Sequence, residues 1–150
     1  MLVVHHSRTG GTWALTEAAV AAATDAVDGA LAVEVVGAFD AGPQEVMQSK
    51  GLLLATPARF GYMSGALKDF FERIYHPCLD ETRGLPYALV VKGDTDTSGA
   101  VSSVARIATG LAWRRVLAPL EVVGTVGEAD RLAAAELGAT LAAGLEAGVF

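Results

Sequence analysis

The chain has 150 residues, with 11 Lys+Arg against 17 Asp+Glu and a net charge of −6. This argues against nucleic acid or an anionic membrane surface as the main partner, since both need concentrated positive charge. Apolar residues make up 52% and charged residues 19%, so the chain is expected to fold, as a single domain over residues 1–150, rather than stay disordered. A lone cysteine, Cys78, excludes a disulfide framework and a multi-cysteine metal site.

Met1-Leu2-Val3-Val4 carries no basic region and no long apolar run behind it, so no signal peptide is expected. Nor do roughly 18 apolar residues run together anywhere to span a membrane. The expected location is the cytoplasm. Leu2 to His5 reads as a first strand. Residues 11–27 follow as a helix with Leu15, Ala19, Ala22 and Ala26 on one stripe, closed by Asp28-Gly29. Leu31 to Val36 is a second strand, and Glu34 within it marks a sheet edge. Gly51 to Ala55 is a third, apolar throughout, as a strand covered on both faces should be. The helix over 65–75 is the most regular: Leu67, Phe70, Phe71 and Ile74 share a face, with Lys68, Asp69, Glu72 and Arg73 opposite. Pro86 to Val91 is a fourth strand, and residues 98–113 a helix with Val101, Val104, Ala108 and Leu111 inward. Val116 to Val123 is a fifth strand, placed at an edge by Pro119, which cannot donate to a central ladder. Residues 128–147 end the chain as a helix with Leu137, Leu141 and Leu145 inward.

Strands alternating with helices predict an α/β three-layer sandwich, a parallel sheet with helices on both faces. Edge signals in the second and fifth strands select a five-stranded order of 2-1-3-4-5. In that order ligands bind beyond the carboxyl ends of the strands, where the winding reverses. Three loops lie there. Ser7-Arg8-Thr9-Gly10-Gly11-Thr12 joins a strand to a helix start, where free N–H groups and the helix dipole favour a phosphate. Taken alone, it is also an ordinary cap and turn. Thr56 to Gly65 places Phe60 and Tyr62 beside Gly61, able to flank a planar ring, or to plug a gap or a subunit contact. Gly93-Asp94-Thr95-Asp96-Thr97-Ser98-Gly99 offers polar groups to a ring edge, or is a plain turn.

No G-x-G-x-x-G or G-x-x-x-x-G-K-Ser/Thr pattern is present, which excludes a dinucleotide turn at the first loop and a P-loop triphosphatase. Cys78 is too distant in sequence to act as a phosphatase nucleophile at the first loop. Together the three loops suit a ligand with one terminal phosphate and a flat hydrogen-bonding ring, of which flavin mononucleotide (FMN) is the economical candidate. With no lysine in the first loop, backbone and hydroxyl dipoles are expected to carry the phosphate. Asp94 and Asp96, if beside the ring, would disfavour added negative charge on it. Cys78 reads as a buried inert thiol, Trp13 and Trp113 as packing or interface residues, and His5 and His6 as strand-end residues, one at the loop rim.

Ser7-Arg8-Thr9-Gly10-Gly11-Thr12 fits the Ser/Thr-x-Thr-Gly-x-Thr phosphate loop of the flavodoxin-like FMN-binding superfamily. Thr56 to Gly65, followed by Leu67-Lys68 and Phe70-Phe71-Glu72-Arg73, resembles the second flavin loop and helix of NADPH-dependent FMN reductases and multimeric NAD(P)H:quinone reductases. The resemblance extends over essentially the whole chain. It implies a flavodoxin-like fold and FMN as cofactor. It further implies NAD(P)H as electron donor, a quinone or similar small molecule as acceptor, and a homo-oligomer, either dimer or tetramer. By that match Ser7, Thr9, Gly10, Gly11 and Thr12 hold the phosphate with Arg8 beside them, and Pro57, Ala58, Arg59, Phe60, Gly61 and Tyr62 contact the ring. Gly93, Asp94 and Thr95 complete the expected site; here the chain has aspartates where the quinone reductases carry a Gly-rich run and a histidine. Two other readings stay open: an electron carrier without NAD(P)H activity of its own, and an interaction module that binds no flavin.

Overall fold

A computed structural model describes all 150 residues. Its elements are β1 (Leu2–His5), α1 (Gly11–Val27), β2 (Glu34–Gly37), α2 (Pro43–Gln48), β3 (Leu52–Pro57), α3 (Gly65–Cys78), β4 (Pro86–Gly93), α4 (Ser98–Gly110), β5 (Arg114–Arg115), β6 (Leu120–Val123) and α5 (Glu128–Glu146). All strand pairings are parallel, and the order is β2-β1-β3-β4-β5, with β6 also on β4. The predicted α/β sandwich and its 2-1-3-4-5 order are therefore present, with a sixth strand added.

Side-chain alternation along the strands builds two cores. Leu2, Val4, Leu52, Leu54, Leu89 and Val91 point to one face, where Phe70, Phe71 and Ile74 of α3 and Val104 of α4 cover them. Val3, Leu53, Ala55, Ala88 and Val90 point to the other, beneath α1 and α5. Fully burying each large side chain contributes about 1.5–3 kcal/mol. α1 and α5 pack closely because Gly138 has no side chain: a Cβ there would meet the Ala19 carbonyl oxygen at 2.1 Å. The small-residue faces of these helices thus serve packing within the chain.

Four details differ from the sequence reading. The fifth strand is two short pieces on the same flank of β4. Arg114 and Arg115 pair with Pro86 and Tyr87, and Leu120 to Val123 with Val90 to Gly93. Residues 116–119 therefore span only Ala88 and Leu89. Pro119, unable to donate, sits in this bulge. The inward stripe of α1 is Leu15, Ala19, Ala23 and Val27, while Ala26 is exposed. β2 starts at Glu34 rather than Leu31. Finally, α2 is an unpredicted helix, begun by Gly42-Pro43 with Glu45 bonded back to the Gly42 N–H at 2.9 Å. Trp113 is a packing residue, buried against Phe71 and Tyr87 with its Nε1–H donated to Thr82 Oγ1 at 2.8 Å. The Cys78 thiol is buried, and burial pushes its pKa up. No helix is long and apolar enough to cross a membrane.

Candidate functional site

The first loop turns sharply into α1 because Gly10 adopts φ +88°, a left-handed conformation that side chains with a Cβ rarely adopt. Ser7 Oγ accepts the N–H groups of Gly10 and Trp13 at 3.2 and 3.3 Å. The N–H groups of Gly11 and Thr12 have no acceptor within the chain. Unlike α2 and α5, α1 has no acidic residue in its first turn. The helix start therefore presents free donors and the positive end of its dipole to solvent, which suits an anion. Trp13 beside it packs on His5, ring centroids 4.8 Å apart.

Beside Arg8 of the loop itself, a second cation reaches it from another element. Lys92, near the end of β4, lays its stem across Gly11, where a Cβ would lie 3.3 Å from Lys92 Cε. Its ammonium pairs with Asp94, and this hydrogen-bonded charge is the main cause of the lowered Asp94 pKa. Beside the backbone and hydroxyl dipoles expected to serve the loop, Lys92 thus places a positive charge near it, already paired with Asp94. Asp96 is occupied locally, accepting from Ser98 N–H and Oγ at 3.2 and 2.8 Å.

The second loop is a tight hairpin. Arg59 and Tyr62 exchange backbone hydrogen bonds of 2.7 and 2.9 Å, and the two residues between them, Phe60 and Gly61, have φ of +51° and +69°, as a two-residue mirror-image turn requires. Phe60 at the tip is fully exposed. Ala58 N–H bonds to Lys92 O at 2.8 Å, and Gly99 lets α4 approach the hairpin so closely that a Cβ would sit 1.9 Å from Gly61 O. These contacts tie the second loop to the third. Ser64 then starts α3, accepting the Leu67 N–H at 3.2 Å.

Arg8, Thr9, Thr12, Pro57, Ala58, Arg59, Gly93 and Asp94 line one crevice. It opens into a cleft of about 460 Å³ between Phe60-Gly61 and Asp94-Thr95-Asp96. Gly10 and Gly11 border a further cleft that includes Lys92 and Arg131 of α5. The expected site residues are thus gathered on one rim, with two exceptions in detail. Ser7 lies behind the first loop as its cap, and Tyr62 borders a cleft on the α3 side that shares Arg8, Arg59 and Phe60 with the rim. Phe60 and Tyr62 are carried on one hairpin. Lys92 is not among the residues that the sequence marks for the site, because it reaches the first loop from a neighbouring strand.

No protein-family model and no curated protein matches the chain. Solved structures do. A flavodoxin from the domain Archaea superposes with a TM-score of 0.84 at 16% identity, covering 97% of both chains. A flavodoxin, WrbA-like protein from Agrobacterium tumefaciens gives 0.80 at 16% identity, over 97% of this chain and 96% of that one. Rubredoxin oxygen:oxidoreductase from Desulfovibrio gigas gives 0.83 at 12% identity, over 99% of this chain but 36% of its own. The chain has the flavodoxin-like fold.

Proposed function

We propose that the 150 residues act as one FMN-binding redox domain that takes electrons from NAD(P)H and passes them to a quinone or similar small acceptor. The observation that carries this reading is the start of α1, whose unpaired Gly11 and Thr12 N–H groups face the rim where the three loops meet. Thr9, Gly10, Gly11 and Thr12 would hold the phosphate, with Ser7 fixing the loop and Lys92 and Arg8 supplying charge. Pro57 to Gly61 and Gly93 to Thr95 would border the ring, with Tyr62 supporting the hairpin. FMN supplies the electron chemistry when bound; the chain supplies position and electrostatics.

Donor access favours the reductase over the carrier. Residues 93–99 contain no aromatic side chain, so a ring seated against Phe60 would have no second aromatic stacked on its other face to bar a second substrate. The cytoplasm and a homo-oligomer remain part of this reading, the latter to be read from the elution volume in size-exclusion chromatography. The test of function is to load the purified chain with FMN, desalt it, and follow NAD(P)H oxidation with and without a quinone. Flavin retention with quinone-dependent oxidation is expected. Retained flavin without oxidation would return the carrier reading, and a colourless protein would return the flavin-free one.

A further inference from the structure

We propose that the cleft between Phe39 and the α3-facing side of the Arg59–Tyr62 hairpin binds a planar aromatic anion, an aryl sulfonate or carboxylate, across the hairpin from the cofactor slot. The cleft encloses about 760 Å³, within the range of roughly 300–1,000 Å³ typical of small-ligand sites. Phe39 forms one wall, and Phe60 and Tyr62 line it with Arg8 and Arg59.

The Phe39 wall is pinned in place. Arg73 of α3 donates Nη1 to the Ala41 carbonyl and Nη2 to the Ala38 carbonyl, each at 2.6 Å, while its Nε donates to Asp69 at 2.7 Å. The Ala38 N–H is held by His5 O at 2.8 Å. Phe39 between these anchors is nevertheless 64% exposed. An aromatic displayed on a fixed loop cannot fold away, so its apolar face is available to a ligand at little ordering cost.

Charge selects the ligand's sign. The chain is acidic overall, yet no carboxylate lines this cleft, and neither Arg8 nor Arg59 forms an ion pair. His6 also lines the cleft, its ring edge-on to Phe39 at 6.0 Å and its buried Nδ1 without a partner. Burial lowers the His6 pKa, and the charges of Arg59 and Arg8, which line the same cleft, lower it further. A flat apolar body between the aromatic side chains, with its anionic group on the guanidiniums, satisfies all these groups at once. A neutral or cationic aromatic would leave both arginines unpaired. Arg8, Arg59 and Phe60 also border the cleft beside Asp94 and Asp96, so the aromatic anion would neighbour FMN but does not require it.

The test is calorimetric titration of the full chain with naphthalene-2-sulfonate and with neutral 2-naphthylmethanol. Each, and FMN, is measured in the natural chain and in Phe39→Ala, whose exposed side chain is not needed for folding. The sulfonate is expected to bind at least about tenfold more tightly than the alcohol, the worth of a charge-assisted hydrogen bond. It should weaken about fivefold or more in Phe39→Ala, while FMN affinity is unchanged. No binding, equal affinity for both probes, or indifference to Phe39→Ala would each overturn the proposal. A chain that takes the sulfonate through Phe39 but ignores FMN would leave this inference standing and remove only the cofactor reading.

Discussion

Three helices of this protein are capped by a glycine, and the groups that accept the glycine N–H differ. Gly42 and Gly127 are extended, with φ of −132° and −100°, and the carboxylate three residues on takes the glycine N–H: Glu45 at 2.9 Å, Asp130 at 2.8 Å. Gly10 is left-handed, no acid follows it in the first turn, and only Ser7 Oγ reaches in. In a chain with 17 acidic residues, α1 is the one of these three starts without a carboxylate. The first two starts already carry a carboxylate of the chain, whereas the third has only the neutral Ser7 Oγ against its dipole end, where we propose that an anion from outside binds.

The strongest way to break that contrast is Gly10→Val. A β-branched residue at φ +88° costs on the order of 1–3 kcal/mol of strain. No neighbouring atom lies within 4 Å of a Cβ at this position, so the damage is to backbone conformation rather than to space. FMN affinity, read by flavin fluorescence titration, should fall at least about tenfold. Trp13→Glu would give α1 the first-turn carboxylate that α2 and α5 already have. The added charge competes for the dipole and repels a phosphate, so FMN should bind about fivefold to tenfold more weakly while riboflavin is unaffected. Asp130→Ala supplies the converse: unfolding by denaturant should show a loss of about 0.5–2 kcal/mol, the usual worth of a cap, with no change in FMN binding.

The smallest expected effect is on pH dependence. Burial, and secondarily neighbouring positive charge, lowers the pKa of both His5 and His6. The unfolded chain therefore binds protons first as pH falls. The stability contribution is fully present above the unfolded value of about 6.5 and is lost as pH drops through the folded values. Melting temperature should decline below about pH 6.5, and His6→Gln should flatten part of that decline. The exposed Asp94 and Asp96, whose pKa values are lowered by Lys92 and by Ser98, act only in the more acidic range where carboxylates titrate.

Much of this architecture was legible because apolar contrast was strong. β1, β3 and β4 are buried nearly throughout, and α3 alternates large apolar and charged side chains at helical spacing. Where contrast was weak the reading slipped. In α1 the run of alanines carries little phase information, so Ala22 and Ala26 were placed inward where Ala23 and Val27 belong. In the last strand Pro119 signalled an edge correctly, but a missing donor also breaks the ladder in two. The site loops could be read from their glycines, hydroxyls and aromatics, whereas Lys92 and Phe39 could not. Lys92 reaches the first loop from a neighbouring strand, and Phe39 follows the edge strand β2. Both act through the fold rather than through a local pattern.

Paired titrations of the purified chain with FMN and with riboflavin test the central claim most directly, because the two ligands differ only in the phosphate assigned to Thr9–Thr12. FMN should bind tighter than riboflavin by at least about tenfold, or ~1.4 kcal/mol. Equal affinity for the two, or no affinity for either, would contradict the account.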